Sequence, residues 1–251
     1  MAIIERGIVD LRRRLGEAAT AASARVTTLS PSTAVGTSRE TIQSRLAALP
    51  MPAAPAVEPW EVSAASLVTS SGNGMAAAAA SRALRLLNRF GRVAVSPQGV
   101  GLDDEDVPWV EVRELRSGYV RDVMTRSAFD REIQRLQKLL PPMPGRSWVV
   151  GRIADVLRTL LDRALPTTEG GRVVVTGLTY TGRRGETKTV DGGFASILLL
   201  AVLPAVDRSI RETAALFNVP ATGPKSGSSA YTDRASIADL SAQLDTLSAE
   251  G

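Results

Sequence analysis

The sequence contains no histidine and no cysteine among its 251 residues. Without cysteine there is no disulfide framework, no thiolate ligand for zinc or an iron–sulfur cluster, and no thiol nucleophile. Without histidine, the commonest general base at neutral pH and the commonest metal ligand are both missing. These absences disfavour an enzyme and predict neither a metal nor a cofactor. They are still compatible with carboxylate-bound Mg²⁺ or Ca²⁺, a lysine Schiff base or a Ser–Lys pair.

Lysine and aromatic residues are also scarce. The only lysines are Lys138, Lys188 and Lys225, so arginine supplies almost all of the positive charge, and aromatic residues make up 4% of the chain. Abundant arginine and alanine with few lysines are typical of a GC-rich genome, such as an actinobacterial one, and the net charge of +4 is modest. Because single-stranded nucleic acid is bound by basic residues interleaved with exposed aromatics, the composition disfavours a nucleic-acid partner.

Long apolar runs are missing as well. The longest, Ile197–Val206, is much shorter than the roughly 20 residues that a membrane-spanning helix requires. Met1–Ile4 is followed directly by Glu5 and Arg6 instead of the apolar core of a secretory signal. We therefore expect a cytoplasmic protein, and its hydrophobic content of 44% is sufficient for a sizeable core.

The first segment, residues 3–29, has the pattern of an amphipathic helix. Its apolar side chains recur every three or four residues, and Arg12, Arg13 and Arg14 occupy other positions. Such a helix can pack on its own domain, enter the groove of a partner or lie on an anionic membrane. The three arginines are therefore candidate contacts for a protein partner or for the inner face of a membrane.

A proline-rich stretch, residues 50–59, is the clearest boundary in the chain. Before it, Thr37 and Glu40 match a capping box at the start of a short helix that we expect to end near Leu49. The prolines of the stretch exclude regular structure and predict a semi-rigid linker. The predicted division is an N-terminal helical segment at 1–49, the linker, an α+β core domain at 60–219 and a flexible tail with a short helix at 220–251.

The sequence Gly72-Asn73-Gly74-Met75-Ala76-Ala77 has the spacing of a dinucleotide-binding loop. In such a loop the glycines let the backbone approach a pyrophosphate at a helix N-terminus. A helix is predicted over 75–90, but the strand before the loop is weak, and no acidic residue follows the next strand to bind a ribose. A nucleotide-binding α/β enzyme is therefore the alternative to a binding protein.

Strand patterns begin after this helix. Residues 92–95, 100–102 and 107–115 are predicted strands, and the last is expected to bend near its end. The acidic stretch Asp103–Asp106 could gather a hard cation, but such a stretch is more typical of a solvated turn. Two amphipathic helices are predicted over 119–165, as a helical hairpin inserted between the strands.

The last third of the core begins with a predicted β-hairpin at 172–190. Its turn carries Arg183 and Arg184, and Lys188 lies on the returning strand. These three basic side chains are candidate contacts for an anionic headgroup, a phosphate or a partner. The remaining predictions are a strand over Ile197–Leu203, a helix over 204–218 opened by Pro204, a disordered stretch over 220–230 and a small docking helix over 236–249.

The stretch Val93–Leu102, followed by Val107–Val112, resembles the start of a bacterial pleckstrin-homology-like domain, in which a pair like Pro108-Trp109 opens the third strand. The resemblance covers residues 92–115 and 172–218. It departs from the family in its helical insertion and in having six predicted strands rather than seven. It implies a bent antiparallel sheet closed by a helix, and a module that binds lipid headgroups, peptides or proteins without catalysis.

The sequence as a whole thus predicts the α+β class, with a small antiparallel, pleckstrin-homology-like bent sheet, a helical-hairpin insertion and flanking helices. The expected function is noncatalytic binding or scaffolding inside the cell through a protein partner, with the inner membrane surface as a further place of action. A structural subunit of a larger assembly is a further alternative.

Overall fold

The computed structural model describes residues 39–68, 87, 89–140, 146–165, 172–224 and 234–249. Helices and two four-stranded sheets within these ranges confirm the α+β class. The helices are α1 (Arg39–Ala48), α2 (Val120–Val123), α3 (Arg126–Leu139), α4 (Arg146–Ala164), α5 (Phe194–Val202), α6 (Pro204–Leu216) and α7 (Arg234–Ala249), with a short 3-10 helix at Ala65–Leu67. The strands are β1 (Trp60–Val62), β2 (Val93–Val95), β3 (Gly99–Leu102), β4 (Glu105–Pro108), β5 (Val112–Tyr119), β6 (Val173–Thr181), β7 (Thr187–Asp191) and β8 (Ala221–Thr222).

The first sheet is an antiparallel meander in the order β1-β2-β3-β4. Its β3–β4 turn contains only Asp103 and Asp104, because Glu105 and Asp106 already pair with β3. The predicted four-residue acidic turn is therefore half turn and half strand.

The prediction of a single strand over 107–115 is wrong, because this segment divides between the two sheets. β4 ends at Pro108 and β5 begins at Val112. The side chain of Trp109 is buried at the break, and its indole Nε1 donates a hydrogen bond to the carbonyl oxygen of Ser96 at 2.8 Å. The amide of Val112 donates back to the carbonyl oxygen of Trp109 at 3.2 Å. This turn takes the chain from the first sheet into the second.

The second sheet has the strand order β7-β6-β5-β8. The predicted hairpin is confirmed as β6 and β7, which pair in an antiparallel register. β8 runs parallel to β5, with Leu115 opposite Ala221. Residues 221–222, predicted as disordered, are thus an edge strand, and the part of that stretch from residue 225 onwards lies outside the described residues.

α5 lies in the centre of the core. The prediction of a strand over Ile197–Leu203 is wrong, since most of these residues continue a helix that begins at Phe194. A helix buried on all sides carries no polar stripe, so its apolar run shows no period that separates it from a buried strand. Leucine and alanine favour the helix, and α6 then starts at Pro204, as predicted.

The other helices pack around α5 and one another. α3 and α4 both contact α5, and α4 also packs along α7 and against α1. The predicted helical hairpin needs correction, because α3 makes its main contacts with α5 and α7 rather than with α4. The docking helix predicted near the C-terminus is present as α7. None of the helices in the described ranges combines the length and the hydrophobicity needed to cross a membrane.

The proline-rich stretch 50–59 lies against α6. The hydroxyl of Ser209 donates a hydrogen bond to the carbonyl oxygen of Ala53 at 2.6 Å, and the amide of Ala56 donates one to Oγ1 of Thr213 at 2.9 Å. All the described residues belong to one compact unit. The stretch predicted as a linker is thus fixed to a helix of that unit by two hydrogen bonds.

Candidate functional site

Two places in the described residues are candidate sites, and the first is the N-terminus of α5. Asp103 reaches it from the β3–β4 turn, with a left-handed φ of 53° that aspartate tolerates. Its Oδ2 accepts hydrogen bonds from the amide of Gly193 at 2.7 Å and from the hydroxyl of Ser196 at 3.3 Å. Its Oδ1 accepts one from the amide of Gly91 at 3.1 Å. Asp103 therefore ties the first sheet to α5.

Glu132 reaches the same helix end from α3. Only 5% of the residue is exposed, and the backbone amides of Phe194 and Ala195 lie close enough to its carboxylate to favour the ionised form. Its Oε1 atom is buried and accepts no hydrogen bond from any residue that the structure describes. Asp103 and Glu132, which we call the carboxylate pair, thus cap a helix N-terminus, where the helix dipole favours negative charge.

Arg135 is the cation beside the carboxylate pair. One of its terminal nitrogens, Nη1, lies 3.4 Å from Oδ1 of Asp103, and the other contacts the carboxylate of Asp104. A single guanidinium group is therefore shared between a buried and an exposed acid of the same turn.

Burial, followed by the neighbouring charge of Asp103, raises the pKa of Glu132 to about 7. Burial also raises the pKa of Asp103, against the opposing influence of Arg135 and of the amides that bind its carboxylate. Two adjacent carboxyls in low-dielectric surroundings disfavour double ionisation and titrate as a coupled pair.

Paired carboxylates with separated pKa values can act as general acid and general base. Here Asp103 and Glu132 are only 3% and 5% exposed, so a substrate does not reach them in this conformation. Within the described part of the chain, no three acidic, histidine or cysteine side chains are grouped so as to hold a metal ion. The chemistry that this geometry supports is the binding of a proton.

Sequence reasoning missed Glu132 and misplaced Asp103. Glu132 lies three residues after Phe129 and four before Leu136, on the apolar stripe of α3, so an acid on a buried face was the available signal. Asp103 was expected in a solvated turn. It is buried, whereas the other three acids of the stretch are exposed.

The second place is an exposed surface formed by Val110, Leu216 and Phe217, which we call the apolar end surface. Val110 lies in the turn between the two sheets and is 76% exposed, and Leu216 ends α6 and is 68% exposed. The ring of Phe217 stacks on that of Trp109, with the ring centroids 6.1 Å apart. This stacking brings the turn and the end of α6 together.

The β6–β7 hairpin adjoins the apolar end surface. The amide of Thr181, at the end of β6, donates a hydrogen bond to the carbonyl oxygen of Glu111 at 2.9 Å. Glu111 directly follows Val110 in the chain, so the hairpin begins its turn beside the exposed valine. The side chain of Arg113 also bonds Thr181, from its Nε to Oγ1 at 2.7 Å.

The three predicted basic residues of the hairpin differ in their surroundings. Arg183 and Arg184 are exposed at its tip, and neither forms an ion pair with a residue in the described ranges. Lys188 instead pairs with Glu186, with its Nζ 3.1 Å from Oε1, and this hydrogen bond raises the pKa of Lys188. Two of the three predicted basic groups are therefore free to meet an anionic group.

Other predicted features lie outside the described residues. Arg12, Arg13 and Arg14, with the N-terminal helix 3–29 and Thr37 of the capping box, fall within residues 1–38. The Gly72–Gly74 loop and most of the helix predicted over 75–90 fall within residues 69–86 and 88. The basic amphipathic helix and the nucleotide-binding loop therefore stay predictions.

Comparisons of the chain with protein-family models, with characterised proteins and with solved structures give no match. Its function has to be inferred from the two places described above.

Proposed function

We propose that the protein is a noncatalytic intracellular binding protein, and that it holds a protein partner on the apolar end surface. The observation that carries this proposal is the exposure of Val110 and Leu216 next to the stacked pair Trp109 and Phe217. Single exposed apolar side chains are common. Apolar side chains exposed together, with an aromatic among them, are characteristic of interaction surfaces.

The aromatic part of this surface is ordered before a partner arrives. The indole of Trp109 is fixed by its hydrogen bond to Ser96 and is almost completely buried. Phe217 rests on that fixed ring, so little side-chain entropy is lost when a partner covers it. A surface that is ordered in advance binds more tightly for the same contact area.

Arg183 and Arg184 add charge at the tip of the hairpin that adjoins the apolar end surface. Two unpaired guanidinium groups favour a partner whose surface is acidic near its apolar contact. An anionic membrane offers the same sign of charge, but recognition of lipids by charge uses clusters of about four to eight basic residues. Two arginines therefore favour a protein over a membrane surface.

The resemblance to a pleckstrin-homology-like domain belongs to this proposal, since such domains are binding modules. Antiparallel pairing in the first sheet, the β6–β7 hairpin and the closing helix α6 support it. The division of the strands into two sheets, and the helix α5 where a strand was expected, depart from the family pattern.

Site-specific photo-crosslinking in the cells that make the protein tests the proposal. A photoreactive residue replacing Val110 or Leu216 in the whole chain should capture a defined protein, and adding Phe217→Ala should reduce that capture several-fold. The control is the same residue replacing Leu139, an apolar side chain of α3 that is 38% exposed. Equal capture from the control position, or no capture from either test position, contradicts the proposal.

Vesicle flotation separates the membrane alternative from the protein partner. With phosphatidylglycerol-containing vesicles at low salt we expect no retention of the chain. If the vesicles do retain it, and the double variant R183E/R184E releases it while R208E at an exposed position of α6 does not, the anionic membrane replaces the protein partner as the ligand.

A further inference from the structure

The N-terminus of α5 joins three elements that are distant in sequence. Asp103 comes from the first sheet and Glu132 from α3, while Gly193 lies between β7 and α5. α5 itself has the sequence FASILLLAV and offers no charged side chain for a polar contact. The carboxylate pair is therefore the polar link that holds α3 and the β3–β4 turn on this end of the helix.

Gly193 lets both carboxylates approach the same small volume. A Cβ atom at this position would lie 2.9 Å from Oε1 of Glu132 and 3.0 Å from Oδ2 of Asp103. Real Cβ atoms hardly ever come so close to oxygen atoms, so the two carboxylates occupy the space that a side chain would need.

Oε1 of Glu132 indicates what the pair binds. It is buried and has no hydrogen-bond partner within the described ranges, and it lies on the same side of Gly193 as Oδ2 of Asp103. Two ionised carboxylates brought together away from water repel each other. A proton on Glu132 removes one of the two charges and turns an unsatisfied acceptor into a donor.

The nearest other charges do not replace this proton. Arg135 is shared between Asp103 and Asp104, and Asp104 adds a negative charge from the same turn. α5 and β2 contribute no titratable side chain.

The charged side chains of the other elements packed against α3 and α5 are largely occupied with one another or exposed. On α7, Asp239 is exposed and Asp245 pairs with Arg39 and Arg158. Three ion pairs account for most of the remaining groups: Arg152 with Asp155 and Arg158 with Asp162 on α4, and Arg211 with Asp207 on α6. The side chains of Arg163 on α4 and of Arg208 and Glu212 on α6 are exposed. Those of Arg121 and Asp122 on α2 are half-buried.

We propose that the carboxylate pair is a proton-controlled latch, which holds α3 on the N-terminus of α5 while the pair carries one proton and releases α3 when both carboxyls are ionised. α3 is the element that leaves, because Asp103 keeps its bonds to the amides of Gly91 and Gly193 after ionisation. Glu132 has one oxygen to which no described residue donates a hydrogen bond.

The sign of the pH dependence follows from the pKa of Glu132, which burial and Asp103 raise to about 7 in the folded protein. A raised folded-state pKa means that the closed latch binds a proton that the open latch releases. The stabilisation is therefore complete below the ordinary pKa of glutamate and is lost as the pH rises through about 7.

Hydrogen–deuterium exchange of the whole chain tests the latch. After correction for intrinsic exchange rates, the protection of α3 amides should fall about tenfold per pH unit between roughly pH 5 and pH 7 and then level off. Glu132→Gln keeps the shape of the neutral acid and should remove this dependence. The control Glu212→Gln, at an exposed position of α6, should keep it.

Carbon-13 NMR of the side-chain carboxyls gives a second test, whose main measurement is made on the wild-type chain. One glutamate of the wild-type chain should titrate near pH 7, and Asp103→Asn should lower that midpoint because it removes the neighbouring charge. The latch is refuted if every glutamate titrates below about pH 5.5, within the usual range, or if Glu132→Gln retains the wild-type pH response of α3.

Discussion

Among individual residues, Gly193 and Glu132 depend on each other. The glutamate reaches the end of α5 because no Cβ atom stands in its way. Gly193 is the N-cap of α5 and has no side chain to bond the free amides, a task that serine, aspartate or asparagine usually performs at this position. Asp103 and Glu132 supply the missing acceptors from elsewhere in the chain. This helix end therefore forms only when the tertiary structure is in place.

Gly193→Ala should lower the free energy of unfolding by about 1–3 kcal/mol, because its methyl group would force the carboxylates aside. Chemical denaturation measures the change. Gly223→Ala is the matched control, since no atom of the described residues lies within 4 Å of the Cβ position there, and its effect should stay below about 0.5 kcal/mol. Equal stability of the two variants would mean that the carboxylates do not close around Gly193.

Among the secondary-structure elements, α7 packs on the rest of the protein through a narrow apolar stripe. Leu240 and Leu244 lie one turn apart and are fully buried, and α7 packs along α4. The hydroxyl of Ser248 also contacts the carboxylate of Asp155 on α4. Sequence periodicity predicted this helix because the rest of its surface is polar.

Leu244→Ala should lower the free energy of unfolding by about 2–4 kcal/mol, because it leaves a cavity between α7 and α4. Leu216→Ala removes the same atoms from a side chain that is largely exposed, so its effect should be below about 0.5 kcal/mol. Thermal and chemical denaturation of both variants give the comparison. If Leu244→Ala is as stable as the wild type, α7 does not contribute to the folded core.

Each of the elements that the sequence predicted correctly has one face exposed to solvent. The β6–β7 hairpin shows turn residues, and α3, α4, α6 and α7 show a helical period. α5 was mistaken for a strand because burial on all sides removes that period. The break after Pro108 was missed because it depends on a bond from Trp109 to Ser96, which lies far from it in the chain.

The candidate site was predictable to a smaller extent. Arg183 and Arg184 follow from the hairpin pattern, because a turn between two strands is exposed. The pairing of Lys188 with Glu186 and the exposure of Val110 and Leu216 depend on how separate elements meet, and a single sequence does not carry that information. Glu132 was detectable in principle, as an acid on the apolar stripe of α3.

For the molecule as a whole, Glu132 makes global stability depend on pH. Because its pKa is raised from 4.5 to about 7, the wild type should lose stability relative to Glu132→Gln as the pH rises between those values. The loss is at most on the order of 3 kcal/mol. Denaturation of both proteins at pH 5, 6, 7 and 8 measures the difference, in which the carboxyls that do not interact with Glu132 cancel. A difference that stays constant across this range contradicts the prediction.

The position of α5 also has a consequence for synthesis on the ribosome. This nine-residue apolar helix has its main contacts with β2, α2, α3, α4 and β6, which precede it in the chain, and with α6, which follows directly. Exposed apolar segments of incomplete chains are prone to aggregate. Among the described helices, the most apolar one is thus synthesised after nearly all of the described surfaces that cover it. The order of translation thus shortens the time for which a nascent chain exposes it.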